Sequence, residues 1–201
     1  MDLLNLSKPS LLQPSRPGFH PIFDKTSRLF MKKILFALSL LASTAVFAQQ
    51  PEESRDAENG SKVLKGFIPV ETLSTDTAFA WYASGIKSFT PNAEALAALR
   101  AHKDSVYLLA FGGTWCDDTK QVLPKMMATF QAAGVSADHV TLLGVDRQKH
   151  TVQHLSEAFN ITNVPTFIVL RNGKEVGRIV EYGSTGLPEK EIGKIVAAGF
   201  K

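Results

Sequence analysis

The sequence holds one cysteine, Cys116, among 201 residues. A single Cys excludes an intramolecular disulfide and any Cys-rich zinc module. Aromatic residues are sparse at 9% and charged residues stand at 20%, against 44% hydrophobic residues. That is a globular profile, and it excludes a disordered, collagenous or polytopic membrane chain. No apolar run reaches the roughly 20 residues of a spanning helix. The longest, Ile34 to Ala48, is interrupted by Ser39, Ser43 and Thr44. There are no internal repeats, and the length fits one domain with extras. Basic charge is also lacking where it would matter. Residues 1–48 carry six of the 22 Lys/Arg and two of the 19 Asp/Glu, which leaves 16 basic against 17 acidic residues in 49–201. Nothing there is an electrostatic footprint for nucleic acid, so no nucleic-acid partner is expected.

What is present at the front reads as an address. Met31-Lys32-Lys33 precedes the apolar run Ile34 to Ala48, with small residues Val46 and Ala48 before a polar segment. That order describes a secretory signal peptide over 31–48, cleaved after Ala48. The expected location is exported, periplasmic or secreted. Residues 1–30 are an upstream extension rich in Pro and Ser, most simply explained if translation starts at Met31. No Cys follows the apolar run closely, so neither a lipid-anchored cysteine nor a stable membrane anchor is expected. Residues 49–62, beginning QQPEESRDAENGS, are polar and read as a disordered linker. The domain is then expected over 63–201.

Within that domain Glu71 to Ile86 has helical character, with Trp81 and Tyr82 packing it on the rest. Thr90-Pro91 predicts a helix start, Thr as N-cap and Pro at the first position, running through EALAALRA. Val106 to Phe111 and Val140 to Val145 are near-continuous apolar runs, suited to strands covered on both faces. Thr114 to Ala133 predicts a helix between them. A short helix is predicted over 150–159 and a strand over Thr166 to Leu170. Asn172-Gly173 is a two-residue hairpin signal into Glu175–Val180. Pro188 opens a last helix. A crossover helix makes the first strand pair parallel and the hairpin makes the last antiparallel. The expectation is an α/β fold with a mixed central sheet flanked by helices on both faces.

Cys116 stands where a helix follows a buried parallel strand, the place where helix N–H groups favour a thiolate. The segment FGGTWCDDTKQVLP resembles the active-site strand, turn and helix of the thioredoxin family, whose motif is Trp-Cys-x-x-Cys. Pro124 matches the family's helix-kinking proline, Val164-Pro165-Thr166 its cis-proline segment, and Asn172-Gly173 with Gly183 its hairpin turn and late glycine. The similarity spans about residues 88–201, and residues 63–87 stand outside it as an N-terminal addition. The resemblance implies a thioredoxin-like fold and thiol–disulfide exchange. Its departures are specific. Thr119 replaces the second Cys, Ala110 replaces the family's buried acid, and Leu142 stands where its lysine partner would be.

The implied chemistry is exchange through one nucleophile, Cys116, forming a mixed disulfide that an external thiol resolves. Thr119 falls one turn later, with a hydroxyl able to donate to the thiolate. Trp115 would form an apolar lip. Pro165, if cis, would expose the backbone of Val164 and Thr166 for strand-like pairing with a peptide. Partners are then disulfide-bearing proteins or small thiols and a reducing thiol; no cofactor is called for. Asp117 and Asp118 read equally as helix N-terminal charges. His150 and His154 have a spacing that can bind metal, but no third ligand is near, so no metal is expected. Asp146-Arg147-Gln148-Lys149 and Arg178 read as solvated surface, or as a charged rim. The rival function is a binding module that keeps the fold and groove with an incidental Cys116. A thiol peroxidase fits less well, because Gly113 stands where peroxidatic sites carry Thr.

Overall fold

The structure, a computed structural model, describes residues 50–200. The expected signal peptide and upstream extension, 1–48, lie outside the described residues. In order, the elements are β1 (Glu52–Arg55), β2 (Lys62–Phe67), α1 (Val70–Thr75), a 3-10 turn (Thr77–Phe79), α2 (Ala80–Ser88), α3 (Ala93–Ala101), β3 (Val106–Gly112) and α4 (Asp117–Ala133). They continue with a 3-10 turn (Ala137–His139), β4 (Val140–Gly144), a 3-10 turn (Val152–His154), α5 (Leu155–Ala158), β5 (Thr166–Arg171), β6 (Lys174–Val180) and α6 (Pro188–Gly199).

The six strands lie in the order β1-β2-β4-β3-β5-β6. β3 and β4 run parallel, joined by α4, with Leu108 opposite Val140 and Gly112 opposite Gly144. β5 is antiparallel to β3 and β6 to β5. Asn172 and Gly173 both take positive φ, 51° and 72°, as a two-residue hairpin between twisted strands requires. Successive strand residues face opposite sides of the sheet. Leu108, Ala110, Phe167 and Val169 therefore enter the larger core with Tyr82, Leu99, Met126, Phe130 and Ile192. Leu109, Phe111, Leu143, Val145 and Ile168 enter a smaller one, covered by Val152, Leu155 and Phe159. Helices flank both faces, unequally: α5 is the small helix over the second. Each large side chain fully buried there stabilises the fold by about 1.5–3 kcal/mol.

Three expectations need correction. The expected disordered linker over 49–62 is ordered over the residues described, 50–62. They hold β1 and the start of β2, antiparallel from Glu52 opposite Lys65 to Arg55 opposite Lys62. The turn between them is organised by Asp56, whose Oδ1 accepts from the N–H groups of Glu58 and Asn59. The first helix after residue 88 begins at Ala93, not Pro91. Asn92 is its N-cap, because its Oδ1 accepts from both Glu94 and Ala95 N–H. The helix predicted over 150–159 is a 3-10 turn and a single helical turn. Gln153 and His154 break it with φ of 54°, so His150 and His154 do not share a helix face. Among the described residues no group of His, Cys, Asp or Glu is arranged to hold a metal ion.

Pro124 lies inside α4 and has no N–H for the carbonyl one turn back. Gly85 of α2 packs on its ring, and a Cβ at Gly85 would stand 2.7 Å from Pro124 Cβ. This close approach seats the N-terminal helices on the helix that carries Cys116.

Candidate functional site

β3 ends at Gly112, and the chain turns through Gly113-Thr114-Trp115 into α4, with Cys116 as its N-cap residue. Cys116 N–H donates to Gly113 O at 2.8 Å, closing the turn. Trp115 folds over Gly113, where an added Cβ would meet the indole at 2.6 Å. Its Nε1 donates to Val145 O at 2.9 Å, at the end of β4. The indole is thus held in place, half-buried, on the residue that precedes the thiol.

The other wall is the segment before β5. The Val164–Pro165 peptide bond is cis, and the free, half-exposed Cys116 thiol donates from Sγ to Val164 O at 3.4 Å. Thr166 differs from its expected role. It is a buried sheet residue between Phe111 and Val180, and its hydroxyl donates to Asn163 O at 2.7 Å. Strands on both sides of it leave no free edge for a peptide. Val164 is itself buried, and its carbonyl oxygen is the backbone group that meets the thiol.

Thr119 is buried one turn into α4, and its Oγ1 accepts from Gly113 N–H at 3.2 Å. The hydroxyl therefore braces the turn under Cys116; among the described residues it makes no hydrogen bond to Sγ. Ala110 and Leu142 are buried and opposite one another across β3 and β4. No acid–lysine pair lies there. Asp118 accepts a 2.8 Å hydrogen bond from Tyr182 Oη, tying the start of α4 to the loop after β6. That bond is the main cause of a raised Tyr182 pKa. Asp117 pairs with Lys120 at 2.8 Å, which holds its pKa below the usual carboxylate value.

Sequence reasoning missed the contribution of the β1–β2 hairpin. Thr114 Oγ1 donates to Lys62 O at 2.8 Å and accepts from Leu64 N–H at 3.1 Å. Asn59 Nδ2 donates to Trp115 O at 3.1 Å. Arg147 is not solvated surface. Its Nε and Nη2 donate to the two oxygens of Asp56 at 2.6 and 2.9 Å, and its guanidinium lies 4.7 Å from the Trp115 ring centroid. Cation–π stacking of this kind contributes about 0.5–2 kcal/mol. The only advance signal was the placement of Arg147 just past β4. Arg178, by contrast, pairs with Glu175 and donates to Phe159 O.

The Arg147 hydrogen bond holds the Asp56 carboxyl down at about 2. A carboxylate with a folded pKa below its unfolded value of about 3.9 stabilises the fold above that value and loses this as pH falls toward 2. Asp56→Asn is therefore expected to lower the urea midpoint at pH 6, with the gap to wild type narrowing between about pH 4 and 2. A gap that stays constant across this range would show that the carboxylate charge is not the cause.

A Trp-flanked cysteine at a strand–helix junction, facing the carbonyl before a cis proline, defines a thiol site on a mixed α/β sheet. The thioredoxin family model matches residues 90–192, and the chain belongs to the thioredoxin family, whose members carry out thiol–disulfide redox chemistry on disulfide substrates and reductants. The chain is 28% identical to a thioredoxin of Echinococcus granulosus over 86 residues, 43% of this chain and 75% of that one. It is 31% identical to a thioredoxin of Chlamydia trachomatis over 84 residues, 42% and 72% of the two. A solved protein of unknown function from Pseudomonas aeruginosa aligns with a TM-score of 0.45 at 17% identity, over 64% of this chain and 88% of that chain. β1, β2, α1 and α2 precede the family match.

Proposed function

We propose that this chain is an exported thioredoxin-like protein that performs thiol–disulfide exchange through Cys116 alone. The observation that carries the reading is the seat of Cys116, an N-cap thiol 3.4 Å from Val164 O and walled by Trp115. The thiolate attacks a substrate disulfide. A bond forms between Sγ and one substrate sulfur, the original S–S bond breaks, and its electron pair leaves with the second sulfur. Thr119 supplies no second thiol, so a thiol from outside the chain attacks the mixed disulfide and restores Cys116. Trp115 and the Val164-Pro165 backbone border the attacked disulfide. The rival reading, a partner-binding module, draws on the apolar Ala110–Leu142 pair, which carries no protons.

Trapping in the native compartment tests the reaction. Mass spectrometry is expected to find mixed disulfides on Cys116 that dithiothreitol releases, and none in Cys116→Ser. A Cys116 that stays free under oxidising conditions would favour the binding module. N-terminal sequencing of the same material tests export, with Gln49 expected as the first residue. A chain retained in the cytoplasm and starting at Met1 would overturn it.

A further inference from the structure

The three guanidinium nitrogens of Arg147 are held unequally. Nε and Nη2 bond to Asp56, whose side chain is 3% exposed. That two-toothed, sheltered pair is the strong kind. Nη1 instead meets Glu58 at 2.8 Å, and the Glu58 side chain is 68% exposed. Exposed pairs of this sort contribute little. Asp56 therefore fixes the cation over Trp115, next to the thiol, while Nη1 keeps a replaceable partner. A cavity of about 200 Å³ opens beside it, bordered by Arg55, Asp56, Trp115, Asp146, Arg147 and Gln148. The neighbouring carboxylates have partners of their own: Asp117 with Lys120, Asp118 with Tyr182, and Asp146 with Lys65.

From this arrangement we infer that Arg147 is a specificity-determining residue whose Nη1 recognises a carboxylate on the disulfide substrate. Glu58 occupies that position until the substrate carboxylate replaces it. The preferred substrates of Cys116 are then disulfides with a carboxylate close to the S–S bond. The inference rests on thiol–disulfide exchange by Cys116.

The test is single-turnover reaction of the reduced protein with two small disulfides, the dianionic dithiobis(nitrobenzoic acid) and the neutral dithiodipyridine. In each, Sγ bonds to one reagent sulfur and the other leaves as a coloured thiolate or thione, so no further reductant is needed. The readout is the anionic-to-neutral rate ratio relative to wild type. Arg147→Gln is expected to lower this ratio about fivefold, and Arg147→Lys to keep part of it as a point charge. Glu58→Gln is expected to raise it about twofold, the scale of an exposed pair. Combined with Arg147→Gln, Glu58→Gln should add nothing, because its effect runs through Nη1. An unchanged ratio in both single variants overturns the inference. So does a Glu58→Gln gain that persists without Arg147, which would be a diffuse field. If Arg147→Gln fails to show a cooperative thermal transition, Glu58→Gln decides alone, and an unchanged ratio there overturns the inference. Failure of Cys116 to react even with dithiodipyridine sinks the proposed function, and the inference with it; normal neutral reactivity with no charge effect sinks the inference only.

Discussion

Thr119→Cys is expected to raise insulin reduction at least about tenfold over wild type when no small thiol is added. On the proposed mechanism wild type forms a mixed disulfide at Cys116 and stops there, since resolution needs a second thiol. A Cys at 119 stands one helical turn from Cys116, on the same helix start, and can attack the adduct from within the chain. The pair should also form an intramolecular disulfide reducible by dithiothreitol, which requires Cα atoms within about 7 Å. The change has a cost. Gly113 N–H now bonds to Thr119 Oγ1, and losing that acceptor costs about 1–3 kcal/mol if the N–H stays dry. The gain should also be partial, because Ala110 and Leu142 offer no group to carry a proton during resolution. Cys116→Ser should fall to background in either form. Equal turnover by wild type and Thr119→Cys would show that no resolving thiol is needed. Absence of an internal disulfide in the variant would mean that the two positions do not face each other.

The second large effect concerns Gly144. It lies in β4 opposite Gly66 of β2, and a Cβ there would collide with the Leu64 carbonyl and approach Ile68 Cδ1 at 2.8 Å. A backbone oxygen cannot swing aside as a flexible side-chain tip can. Gly144→Val is therefore expected to cost about 3 kcal/mol and to part β2 from β4. The hairpin that carries Asp56 and Asn59 would detach with it, so residues 52–67 should become sensitive to limited proteolysis. A urea midpoint and digestion pattern equal to wild type would show that β2 does not sit against β4 as described.

Much of this architecture was legible in the residues. Val106–Phe111, Val140–Val145 and Thr166–Leu170 read as strands because burial on both faces leaves nearly unbroken apolar runs. Cys116, Trp115 and Val164-Pro165 were legible as a set through their resemblance to the segments of the thioredoxin family. The hairpin was not. β1 is exposed at all four positions, so no alternation marks it, and β2 is interrupted by Lys62, Lys65 and a Gly66 with φ of 105°. Its turn is ordered by Asp56 meeting Arg147, 91 residues away, and no local pattern announces a partner so distant. Thr119 shows the same limit on a smaller scale. The sequence places its hydroxyl one turn from the thiol, but its choice of Gly113 depends on how the chain folds back before Cys116. The two-residue shift in α3 follows from Asn92, whose side chain caps two N–H groups.

The hairpin also decides how this molecule ends on one side. A sheet terminating at β4 would present a run of Val, Thr and Leu with open backbone groups, a template for pairing with another chain. Instead the outermost strand is Glu52-Glu53-Ser54-Arg55, short, polar and solvated on both faces. Charges on so brief an edge repel an incoming strand before hydrogen bonds can register, so association through this edge is disfavoured. Resistance to edge-to-edge pairing on this side then rests on four residues that contribute almost nothing to the core. Replacing them with a β-prone apolar quartet would leave the thiol site in place and turn that side of the sheet into a seed for fibrous assembly.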